Sequence, residues 1–224
     1  MPRLPTSRLA VLTAALAAGL LAACGSDAPS TASGVASPEL VAAAEAAHQQ
    51  ALQGVDEREQ TFTARFELRE DGTATDTTTG LTWMRCTVGQ VWQGGVCAGE
   101  PKLMSWDQAQ KAGEEMVFAG HADWRLPTRD ELATLVYCSS GLRRAPDPDG
   151  VPGSCEGSFR APTLLAAAFP NAPAHKFWSA TPDERYRFAA WGVSFYNGAI
   201  GIGTHTDYVN VRLVRGTAVP APRQ

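Results

Sequence analysis

The chain has 224 residues, 19 of them Lys or Arg and 23 Asp or Glu, for a formal net charge of −4. That length provides one domain of ordinary size plus appendages. A mildly acidic chain without a basic stripe argues against nucleic acid as a partner, and its basic pair, Arg143-Arg144, reads as a solvated loop.

The N-terminus is an export signal by its layout. Arg3 and Arg8 precede the apolar run "LAVLTAALAAGLLAA", residues 9–23, which is too short to cross a bilayer comfortably and ends in small residues. "LAAC", residues 21–24, resembles the bacterial lipobox, in which the cysteine, here Cys24, becomes the lipidated first residue; an ordinary secretory signal is the alternative. The Ser/Ala/Gly/Thr-rich stretch 24–36 then reads as a flexible tether. Residue 25 is Gly rather than Asp, which by the usual sorting rule implies the outer membrane, on its periplasmic face or at the cell surface. Removal of residues 1–23 leaves 17 basic against 23 acidic side chains, a net charge of −6.

Export fits the cysteines. Beyond Cys24 there are four, Cys86, Cys97, Cys138 and Cys155, an even number that suits an oxidising compartment. Of the three possible pairings, Cys86–Cys97 with Cys138–Cys155 is expected, because each brackets a Gly-containing local loop. Each bridge would contribute roughly 3 kcal/mol by loop entropy. Zinc is the rival reading, but no CxxC exists and His48, His121, His175 and His205 are scattered, so no metal is expected.

Residues 37–60 predict a spacer helix, with Ser37 as cap, Pro38 at the first helical position and a thin apolar side. A short oligomerisation stalk is the alternative. The domain proper begins near 61, with a strand over 63–69, a turn at Asp71-Gly72 and a second extended run ending in Leu81–Met84. "VGQVWQGGVC" reads as a Gly-rich loop. A helix follows from Ser105 as N-cap to Gly120 as stop, with Trp106, Ala109, Ala112 or Gly113, and Met116 at helical spacing.

"HADWRLPTRDEL", residues 121–132, is a strand-like entry, a rigid turn and a helix start. Pro127 disfavours helix at Leu126. Thr128 and Glu131 form a capping box, with Leu132, Leu135 and Val136 as the apolar face behind it. Arg125 is expected to tie down carbonyls or an acid such as Asp123 or Glu131. Residues 139–160 read as a loop, "PDPDG" at 146–150 as an exposed turn rather than a calcium loop, and "PTLLAAAF", 162–169, as a short helix. "HKFWSAT" is a strand. "RFAAWGVSFYNGAIGIG" is a hairpin turning at Asn197-Gly198. "DYVNVRLVR" closes it, with Val209, Val211 and Leu213 on one face and Tyr208, Asn210 and Arg212 on the other. Residues 216–224 read as a disordered tail. Trp83, Trp106, Trp124, Trp178 and Trp191 are assigned to core packing.

Taken together, "DTTTGLTWMRC", "SWDQAQKAG", "DWRLPTRDEL", "FWSAT", "AWGVSF" and "VRLVR" resemble the C-terminal domain of Lcl-type collagen-like adhesins, over roughly residues 62–215. The resemblance implies an α+β, C-type-lectin-like fold, in the branch of the formylglycine-generating enzymes, with two helices and a C-terminal antiparallel β-hairpin region. The order helix, helix, hairpin agrees with it. The domain is thus set at 61–215. No collagen-like repeat precedes it, which weakens any adhesion role borrowed from collagen-bearing relatives.

Three functional classes follow. Formylglycine-type oxidation needs a thiolate pair near the C-terminus, and no cysteine follows Cys155. GxSxG, HExxH and a phosphate-binding Gly loop are also missing. The expectation is therefore no catalysis and no cofactor. The fold and the address instead imply a binding module anchored by its N-terminal lipid, with a glycan or protein ligand outside the cytoplasm. Its candidate contacts are Tyr196, Asn197, His205, Asp207, Tyr208 and Asn210, since rings and amides suit sugar or protein; a plain hairpin surface is the bland alternative. No Glu-Pro-Asn motif is present, which argues against calcium-dependent sugar binding. The third class is an accessory lipoprotein scaffolding a complex through the 37–60 helix.

Overall fold

The structure, a computed structural model, describes residues 57–217. The leader, Cys24, the tether, the spacer helix as far as residue 56 and the tail from 218 lie outside the described residues. Residues 57–64 are helical (α1). They are followed by β1 (Phe66–Leu68), β2 (Thr73–Asp76), β3 (Thr82–Met84), β4 (Val91–Gln93), β5 (Val96–Ala98), α2 (Trp106–Glu115), α3 (Arg129–Ala133), β6 (Lys176–Pro182), β7 (Ala189–Ser194), β8 (Ala199–Thr204) and β9 (Val214–Arg215). The class is mixed, α+β, with every strand pair antiparallel: β1-β2-β3-β9 in one sheet, β4-β5 in a second and β6-β7-β8 in a third.

The period-two alternation of the third sheet builds two cores. Phe177, Val193 and Phe195 point to one side, where they meet Leu81, Trp83, Leu132, Leu135, Leu165 and Phe169. Trp178 and Ala190 point to the other, where Met84, Met104, Ala109, Trp124, Leu126, Val211 and Leu213 gather. Alternation along a strand puts successive side chains on opposite faces, so one sheet serves both cores. Both expected disulfides form, Cys86–Cys97 with Cα atoms 5.3 Å apart and Cys138–Cys155 with 5.4 Å. No helix among the described residues is long and apolar enough to cross a membrane.

The expected capping box at Thr128 is present, and the Ser105 cap is a capping box as well. Ser105 caps α2 with Gln108 as the reciprocal partner, and Thr128 caps α3 with Glu131. Arg125 grips Glu131 with both terminal nitrogens at 2.8 Å and donates to the Gly216 carbonyl at 2.8 Å. Its backbone exchanges hydrogen bonds with Val214, at 2.8 and 3.0 Å, and Arg215 Nε donates to Asp123 at 2.8 Å. The "DWRLPT" and "RLVR" stretches, distant in sequence, are thus paired with one another. The Pro127 carbonyl accepts from Ala180 N–H at 2.7 Å, and Thr181 Oγ1 accepts from Arg129 N–H at 2.9 Å, which ties the same corner to β6.

Several expectations are corrected. The segment expected as a strand from 63 is helical through 64, and β1 starts at Phe66. α1 docks on the domain: Arg160 pairs with Glu59, Arg58 donates to the Ser139 carbonyl, and Phe62 packs against Phe66 and Tyr137. The Gly-rich 88–97 stretch contains the β4-β5 hairpin, turning at Gly94-Gly95. Helix α2 ends at Glu115, not at Gly120. Phe118 and His121 exchange backbone bonds at 3.0 Å, and Ala119 and Gly120, both at positive φ, form that tight turn. Residues 162–169 are not a helix. A two-turn helix is marginal by itself, and here the backbone is used sideways: Thr163 N–H donates to Phe195 O, Tyr137 N–H to Thr163 O, and Arg85 takes the carbonyls of Ala167 and Ala168.

Residues 208–215 are not the third strand of the hairpin. They cross to the far side of β6, where Asn210 bridges Phe177, and pair with β3 at Val214–Arg215, the Leu213 carbonyl also accepting from Met84 N–H at 3.1 Å. Two faces therefore become two buried sides. Asn210 is 3 % exposed and Arg212 fully buried. Arg212 donates to the Met84 and Arg85 carbonyls and lies over the Phe169 and Phe177 rings. Desolvation pushes its pKa down to about 9, which leaves it a cation at neutral pH.

Candidate ligand-binding surface

The crossover of residues 205–210 shapes the end of the third sheet. Phe195 N–H donates to the His175 carbonyl at 2.9 Å, so the turn carrying Tyr196 lies beside His175. The Lys176 carbonyl accepts from Asn210 N–H at 3.2 Å and from its Nδ2 at 3.3 Å, and Trp178 N–H donates to the Asn210 carbonyl at 3.0 Å. These bonds lay 208–210 beside 175–177. Where the two segments meet the chain leaving the first disulfide hairpin, a cleft of about 440 Å³ opens, lined by Glu100, Leu103, His175, Lys176, Tyr208 and Asn210 among others. Its size and mixed apolar-polar lining are those of a small-ligand or side-chain site.

Lys176 sits half-buried on a floor without side chains. A Cβ on Gly192 would meet its Cε at 2.8 Å, and a Cβ on Gly203 would stand 2.9 Å from Nζ and 3.0 Å from an Asp207 oxygen. The ammonium lies 5.4 Å from the Trp178 ring centroid and has no hydrogen bond or salt bridge among the described residues. Desolvation lowers its pKa, and the nearby Asp207 charge opposes the shift. The two glycines let a lysine lie flat against the sheet, near the Asp207 carboxylate but without a salt bridge to it.

The six candidate contacts separate into two kinds. Tyr196 and Tyr208 are 63 % and 65 % exposed, and Tyr208 lines the cleft. The rest are spent on the fold. Asn197 Oδ1 caps Ala199 N–H, and its carbonyl accepts from Cys155 N–H. Asp207 closes its turn by accepting from Thr204 N–H and Oγ1. His205 is not an outward contact but stacks on Trp106, centroids 4.3 Å apart. Asn210 lies buried at the cleft wall.

Sequence reasoning missed His175, Lys176, Glu100 and Leu103. The first two stood inside an expected strand and the others in a loop, and no local signal joins segments so far apart in the chain. It also assigned Trp191 wholly to the core. That indole is half-buried, flanked by the Arg129 and Arg185 guanidinium groups at 5.1 and 6.0 Å, in a second cleft of about 360 Å³ with Thr181 and Asp183. No group of three or more His, Cys, Asp or Glu among the described residues could hold a metal ion.

The disulfide-stapled α+β domain thus carries open clefts of ligand size at the rim of its last sheet. The family model of the Lcl C-terminal domain matches residues 72–215, more than half of the chain, and the chain belongs to that family. Membership suggests an adhesin-like or binding module with an extracellular or envelope location. No curated protein matches the chain.

Proposed function

We propose that this protein is a non-catalytic binding module of C-type-lectin-like fold, lipid-anchored through Cys24 in the outer membrane, that recognises a glycan or protein ligand outside the cytoplasm. The observation that carries the reading is the cleft beside Tyr208, where an exposed ring adjoins His175 and Lys176, neither committed to an ion pair among the described residues. An aromatic platform with uncommitted donors suits the apolar face and polar edges of a sugar ring or a protein side chain. The even cysteine count and the two bridges fit an oxidising compartment.

The test is binding of the full chain to a glycan array and to intact cells, with Tyr208→Ala and Tyr196→Ala as probes. Tyr208→Ala is expected to lower binding about tenfold or more, as a central aromatic contact does, and Tyr196→Ala by less. A blank array and no cell binding, with a partner lost instead on deletion of residues 37–60, would replace this reading by the scaffold one.

A further inference from the structure

The loop between β6 and β7 presents apolar surface where a soluble domain normally hides it. Residues 184–188 are five consecutive exposed residues, Glu-Arg-Tyr-Arg-Phe, with Tyr186 60 % and Phe188 69 % exposed. The exposure is not that of a loose segment. Asp183, its side chain 1 % exposed, accepts the N–H groups of Arg185 and Tyr186, both at 2.9 Å. Asp183 N–H donates to the Ala189 carbonyl and Ala189 N–H to the Tyr186 carbonyl, again at 2.9 Å, and His205 N–H donates to the Phe188 carbonyl at 2.8 Å. The buried acid and three backbone bonds therefore hold two aromatic rings outward.

Cations alternate with the rings. Arg187 lies over Phe188 at 5.3 Å and forms no ion pair among the described residues; Arg185 is 62 % exposed at its side chain, with Asp183 at 3.5 Å and the Trp191 ring centroid at 6.0 Å on its inward side. Glu184 is the single outward carboxylate of the tip. A tip of five residues is far smaller than the ~800 Å² a side of a stable protein interface. Rings with a polar edge, interleaved with guanidinium groups, instead match a headgroup layer: apolar bodies enter and charges stay at phosphate level.

We propose that the 183–188 loop is a membrane-contact tip, in which Tyr186 and Phe188 enter the headgroup region of an anionic bilayer and Arg185 and Arg187 meet its phosphates. The tip is separate from the ligand cleft and acts whether or not Cys24 is acylated. It gives the domain a preferred face toward the membrane.

The experiment uses the mature chain, residues 24–224, carrying Cys24→Ala, so that neither the apolar leader nor an acyl group contributes, in co-sedimentation with vesicles of phosphatidylcholine alone and of phosphatidylcholine mixed with phosphatidylglycerol. Binding is expected to rise on the order of tenfold with the anionic lipid. Tyr186→Ser with Phe188→Ser should remove most binding to both vesicles, and Arg185→Gln with Arg187→Gln only the anionic increment. Thermal melting with intact bridges checks the fold. Equal binding by wild type and both variants overturns the proposal. So does a vesicle-free dimer that the same substitutions abolish, which makes the tip a self-interface.

Discussion

The Trp-Arg-Leu-Pro-Thr corner and the rim of the last sheet draw on the same side-chain types, yet they spend them differently. At the corner every charge has a partner: Arg125 holds Glu131 and the Gly216 carbonyl, Glu131 closes the capping box, and Arg215 holds Asp123. At the rim Lys176 has a half-buried ammonium without a salt bridge, and Tyr196 and Tyr208 face water. Satisfied polar groups fix a geometry; unsatisfied ones in a cleft are capacity for something else. The comparison explains why the most recognisable motif of the chain is architecture, while the candidate ligand surface carries no motif.

Substitutions can break that contrast, and the largest effects belong to the shared architecture. Trp178→Ala removes a fully buried indole and its 3.0 Å bond to the Met104 carbonyl. A loss of about 3–5 kcal/mol is expected in urea titration, and a loss under 1 kcal/mol would show the sheet to be less central than its two cores imply. Removing the second bridge with Cys138→Ser and Cys155→Ser should cost about 3 kcal/mol by the same measurement. That loop also supports the Tyr196 turn, through Cys155 N–H to Asn197 O.

Glu131 tests the corner itself. Burial pushes its carboxyl pKa up, but hydrogen bonds from Arg125 and Thr128 and the Arg125 charge outweigh that and leave it lowered. The unfolded chain thus binds the proton more readily. The stabilisation is fully present above the ordinary glutamate range and is lost as pH falls through the depressed folded value. Glu131→Gln should flatten that acid limb and cost about 1–2 kcal/mol at neutral pH, read from melts across pH. An unchanged acid limb would mean the corner's ion pair contributes nothing.

The smallest effect on stability belongs to the rim. Tyr208→Ala should shift unfolding by no more than about 0.5 kcal/mol, since its ring is mostly in water. If it instead destabilises strongly, Tyr208 is architecture and the contrast between corner and rim collapses.

Local chemistry was legible in the residues. The Ser105 cap, the Thr128 capping box and the Asn197-Gly198 hairpin turn are set by neighbours within a few positions, and each is present as its sequence implies. The disulfide pairs were readable for the same reason, since each closes a short loop. The helix expected at 162–169 failed because Phe195, Tyr137 and Arg85, none near it in sequence, claim its backbone groups. Asn210 and Arg212 alternate with valines and leucine as an exposed face would, but the chain packs on both sides of that segment.

The sequence by itself determined the caps and turns, the two bridges, the 189–204 hairpin and the domain family, because each depends on short-range spacing or on a pattern carried whole along the chain. Only the tertiary structure decided which polar groups are left over. Whether Lys176 closes an ion pair, or Tyr186 and Phe188 find a core, depends on where segments far apart in the chain come to rest, which no local pattern encodes.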